Sequence, residues 1–120
     1  MSRLLDENTL RGLLSSVGRD DGAGTRFIHD FVSLWETRVQ RLTNALAKRD
    51  ADQTHVALLS IRASSTMIGA QVIEAAAALM LSSLDRQNLA ECARHLDRLD
   101  RVGQETCAEL DERFGRTSNV

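Results

Sequence analysis

Proline and tyrosine are absent from these 120 residues, and the aromatic content stops at three Phe and one Trp. Without proline nothing forbids helix locally, and with few aromatic or β-branched runs little favours strands. Ala, Leu, Arg, Asp and Glu dominate instead, so an all-α class is expected. An excess of either charge is missing as well: 15 Lys and Arg stand against 17 Asp and Glu, a net charge of −2. That balance gives no general pull toward nucleic acid or anionic lipid, and neither is expected as a partner. Cysteine is scarce. Cys92 and Cys107 lie fifteen residues apart with no CxxC pair and no histidine cluster nearby, which argues against a zinc site and against a secreted disulfide framework. No metal or cofactor is expected. A long hydrophobic run is also lacking, since the apolar stretch from Val72 to Leu84 is too short for a bilayer and is interrupted by Glu74. The first residues turn acidic at Asp6 before any apolar core of a signal peptide develops. Together these features predict a soluble protein of the cytoplasm.

What is present is helical punctuation. The length suits one domain, residues 1–120. Asp6 can cap a short helix carrying Leu10, Leu13, Leu14 and Val17, with Gly18 as its stop. A glycine-rich loop from Arg19 to Gly24 leads into a long amphipathic segment, with Ile28, Phe31, Val32, Trp35, Val39, Leu42 and Leu46 at steps of three and four. Asp50 and Asp52 offer an N-cap for a third helix running toward Gly69, and residues 70–84 form a fourth. The last segment places Leu89, Cys92, Leu96, Leu99, Gly103, Thr106 and Leu110 on one face, with Gly115 suited to its end. Short connections between such helices predict an antiparallel up-and-down four-helix bundle with a short extra N-terminal helix.

The third helix is apolar on two sides. Thr54, Leu58, Ile61, Ser65 and Ile68 form its core stripe. At about 100° per residue Leu59 projects roughly 140° from the centre of that stripe, and Val56, Ala63 and Met67 fall on the same outward side. A solvated outer face should carry Lys, Glu, Gln or Arg, so these four suggest a surface that another body covers; the alternatives are that the short first helix lies over it, or that isolated exposed apolar residues carry no meaning.

At this helix the sequence resembles the histidine-phosphotransfer (HPt) family, whose signature reads His-x-Leu-Lys-Gly-Ser-Ser, followed three residues on by Leu or Ile and then Gly-Ala. Leu59-Ser60-Ile61-Arg62-Ala63-Ser64-Ser65-Thr66-Met67-Ile68-Gly69-Ala70 aligns with it without gaps. Upstream, Ala45-Leu46-Ala47-Lys48-Arg49-Asp50 matches the family's Ala-Leu-x-x-x-Asp, and Phe27-Ile28-His29-Asp30-Phe31 resembles its long second helix. The resemblance implies a module of two-component phosphorelay signalling whose partners are response-regulator receiver domains or histidine kinase domains. Three departures fall on the functional face. Leu59 stands where the family carries its phosphorylated histidine, and a hydrocarbon side chain has no nucleophilic atom to accept a phosphoryl group. Arg62 replaces lysine, keeping the charge but changing its geometry, and Ala63 replaces glycine.

The expectation is therefore a pseudo-HPt interaction module, not an enzyme, that binds through Val56, Leu59, Arg62, Ala63 and Met67. Two alternatives stay open. His55, one turn before Leu59 and about 40° from it around the axis, is a displaced phosphosite candidate, although a shift of roughly 6 Å misplaces it for in-line transfer. The apolar face could instead form a symmetric homodimer contact. His29 and His95 read as surface residues, and Ser64 and Ser65 as small residues that allow close helix packing, because no base or orienting acid stands at a recognisable spacing.

Overall fold

Six helical segments make up the regular structure of the residues described by the computed structural model, 2–18 and 22–115: α1 (Glu7–Gly18), α2 (Ala23–Ala47), α3 (Ala51–Ile68), α4 (Gln71–Asp85), α5 (Leu89–Arg94) and α6 (Leu96–Phe114). No strand occurs among the described residues. Several helix ends have a local cause. The Asp6 carboxylate accepts from the Asn8 amide at 3.1 Å and from the Thr9 hydroxyl at 2.9 Å, and the Asp50 carboxylate accepts from the Gln53 amide at 3.0 Å, so both aspartates cap as their positions predict. Gly69 ends α3 at φ +77°, in the left-handed region. Its missing side chain also allows a close approach, since a Cβ there would stand 2.9 Å from the Asp6 carbonyl oxygen. The Asp6 amide donates to the Gly69 carbonyl at 2.7 Å, which joins the chain entering α1 to the α3–α4 turn.

Two expected boundaries move. Gly24, assigned to the loop, lies buried in the first turn of α2, where its hydrogen faces the backbone of Leu13 and Leu14 and lets α1 and α2 touch. The final segment is not one helix: His95 leaves helical pairing, its amide donating to Cys92 three residues back at 3.1 Å before α6 starts. The side chain of Val17 and residues Arg19 to Asp21 of the expected loop lie outside the described residues.

The four long helices close on one another, α2 on α3, α3 on α4, α4 on α6 and α6 on α2. Their inward faces share one core, in which Ile28, Phe31, Leu42, Leu58, Ile61, Ile68, Ile73, Met80 and Leu99 are buried. Burying such side chains supplies about 1.5–3 kcal/mol each before chain entropy is counted. A close contact joins α2 and α6, where Trp35 rests on Gly103 and its indole Nε1 donates to the Asp100 carboxylate at 3.2 Å. The short α1 packs on α2 and α3, and Arg113 of α6 holds it with two 2.8 Å bonds to the Glu7 carboxylate. That contact keeps the Glu7 carboxyl below its usual range.

Candidate partner-docking face

The face is built on α3, whose Asp50 cap and Gly69 stop fix its length and whose core stripe fixes its rotation. Thr54, Leu58, Ile61, Ser65 and Ile68 are all buried, as the spacing predicts. Rotation then does the rest: Val56 is 58% exposed, Leu59 44% and Met67 51%, and Ala63 is exposed between them. The first helix does not cover them, because α1 sits at the Gly69 end of α3. Arg62 and His55 are also exposed. The Arg62 guanidinium makes no ion pair among the described residues.

Leu34 on the neighbouring α2 is likewise exposed, at 43%, and was not singled out from sequence, although it stands out as a leucine immediately before the buried Trp35. Leu79 on α4 is a further exposed leucine, 51% accessible. The histidines depart from expectation. His29 and His95 are half-buried, and His29 Nε2 is enclosed without a hydrogen-bond partner among the described residues. Ser65 is fully buried with no partner for its hydroxyl among the described residues, while Ser64 is half-buried, a placement in keeping with close packing.

No family model, curated protein or solved structure matches the chain. The chemistry of the face must therefore be read from the face itself. Two depressions lie elsewhere, one beside Ser2, Glu105 and Arg113, another between α2 and α6 lined by Trp35, Val39 and Cys107 among others. No cluster of three potential metal ligands occurs among the described residues, and none of their helices is long and apolar enough to cross a membrane. Neither cysteine is poised as a nucleophile: burial pushes the Cys92 thiol up, and burial, with Asp111 and Asp100 nearby, pushes Cys107 up to about 12. An exposed apolar face with a charged residue beside it suits a protein surface better than a small molecule, which would need an enclosing cleft.

Proposed function

We propose that this chain is a pseudo-HPt module of two-component signalling, a protein that binds receiver or histidine kinase domains in the cytoplasm without transferring phosphate. In this reading α2, α3, α4 and α6 form an antiparallel up-and-down four-helix bundle, with α1 as the extra N-terminal helix. Mutually packed helices joined by three residues (48–50) or two (69–70) must reverse direction, which supports that topology for α2, α3 and α4. The observation carrying the function is the exposed Leu59 in the middle of an apolar face, at the position where the signature of the family demands a nucleophile.

Isothermal titration against purified receiver and kinase domains of the same organism tests the reading, with Leu59→Glu as control. At least one domain should bind the wild type and bind the variant more weakly. A panel in which none binds contradicts it. A second reading, a working phosphocarrier, draws on the exposure of His55 one turn away. It requires acid-labile phosphate on His55, which the pseudo-HPt reading forbids.

A further inference from the structure

Leu34, Arg38 and Arg41 follow at steps of four and three along one stripe of α2. That stripe is turned by roughly 130° from Trp35, Val39 and Thr43, which border α6, and α3 is the other long helix packed on α2. On α3 the Thr66 hydroxyl donates to Glu74 of α4 at 2.8 Å, so the flank carrying Arg62 and Thr66 faces α4 and the opposite flank faces α2. The α2 stripe therefore adjoins the outer face of α3. Apolar ground runs from Leu34 to Leu59, with Arg38 and Arg41 on one side and Arg62 on the other.

We propose that this face takes a partner surface that is apolar at its centre and acidic at its rim, in preference to a second copy of the chain. The proposal rests on the docking reading above and specifies what docks. Four large side chains, each about half exposed, present apolar area on the order of 300–400 Å², close to the apolar share of one side of a standard interface. Charge selects the occupant. Residues 23–68 hold six Lys and Arg against four Asp and Glu, whereas residues 71–114 hold nine acidic against five basic. A twofold dimer through this face would bring Arg38, Arg41 and Arg62 toward the same groups of the other copy. Arg38 already lacks something: its guanidinium lies 6.0 Å from the Phe31 ring centroid, and Nη1 is enclosed without a hydrogen-bond partner among the described residues. Burial, and then Arg41, lower its pKa against the opposing pull of Asp30. An incoming carboxylate can pair with the exposed Arg41 and Arg62 and offset the crowding of like charge around Arg38.

The test titrates ¹⁵N-labelled protein with two amphipathic helical peptides of about 18 residues that share one leucine pattern, one bearing glutamate and the other lysine on the polar positions. The glutamate peptide should bind about tenfold tighter, shift amides around Leu34 and from Val56 to Met67, and weaken severalfold in added salt. Arg38→Glu combined with Arg62→Glu should reverse the preference. Sedimentation of the wild type should show a monomer at every concentration used. Equal or lysine-favouring affinity, shifts confined to α4–α6, or self-association would overturn the proposal. A receiver that binds regardless of the two arginine reversals would sink this inference while leaving the docking function intact. Glutamate-peptide binding by a chain that ignores every receiver and kinase would support this inference and sink that function.

Discussion

Gly103→Ala should destabilise the protein although alanine is the better helix former. In the interior of a helix the change from glycine is worth about 1 kcal/mol in favour of alanine. Here the added Cβ would meet the Trp35 ring at 1.8 Å from Cζ2 and 2.1 Å from Cε2, far inside contact distance. The ring is 4% exposed and tied to Asp100, so it cannot swing away freely. With the overlap so severe the added methyl should cost toward the upper end of the usual overpacking range, about 2–3 kcal/mol, which outweighs the helix gain and leaves a net loss of roughly 1–2 kcal/mol. Trp35→Leu removes the obstructing atoms. In that background Gly103→Ala should become stabilising by up to about 1 kcal/mol, a coupling of about 2–3 kcal/mol between the two positions. Urea unfolding followed by far-ultraviolet circular dichroism measures all four corners of the cycle. Additive effects, or a stabilising Gly103→Ala in the wild-type background, would refute the α2–α6 contact.

Gly69→Ala should cost about 1–3 kcal/mol in thermal unfolding, because it combines a left-handed backbone with a 2.9 Å approach to Asp6. Arg49→Gly should do the opposite and stabilise by up to about 1 kcal/mol, since Arg49 holds φ +56° in the α2–α3 connection at a steric cost glycine does not bear. Loss of the α3 cap in Asp50→Ala should cost about 1 kcal/mol in urea unfolding. Acid should loosen α1 first: Arg113 depresses the folded-state pKa of Glu7, so its contribution is present above the ordinary carboxylate range and is lost as pH falls through the depressed value. Glu7→Gln should remove that part of the acid dependence, and a variant whose acid titration superimposes on the wild type would contradict the linkage.

Helix positions and inward faces were legible because one periodicity served both. Leu58, Ile61 and Ile68 recur with the helix and are buried with it, and Asp6, Asp50 and Gly69 mark ends by chemistry that acts within four residues. The outward exposure of Leu59 followed from the same geometry. What composition could not show depends on neighbours distant in sequence. Gly24 looks like a loop residue until Leu13 packs on it, and the break at His95 interrupts a stripe whose spacing runs through without a gap. Leu34 gains meaning only when α2 lies beside α3. The enclosure of His29 likewise arises from packing and has no counterpart in its local sequence.

If the chain is the pseudo-HPt module proposed above, a docking face survives where the transfer chemistry has gone, and a phosphoryl-transfer assay tests this. The wild type, His55→Ala and Leu59→His are each incubated with a receiver domain that binds the chain and carries a labelled aspartyl phosphate. The wild type and His55→Ala should remain unlabelled, while Leu59→His should acquire partial acid-labile label, because it returns a nucleophile to a helix whose Arg62, Ser64 and Ser65 keep their spacing. Acid-labile label on the wild type that disappears in His55→Ala would contradict the account and identify the chain as a working phosphocarrier with its acceptor displaced by one turn.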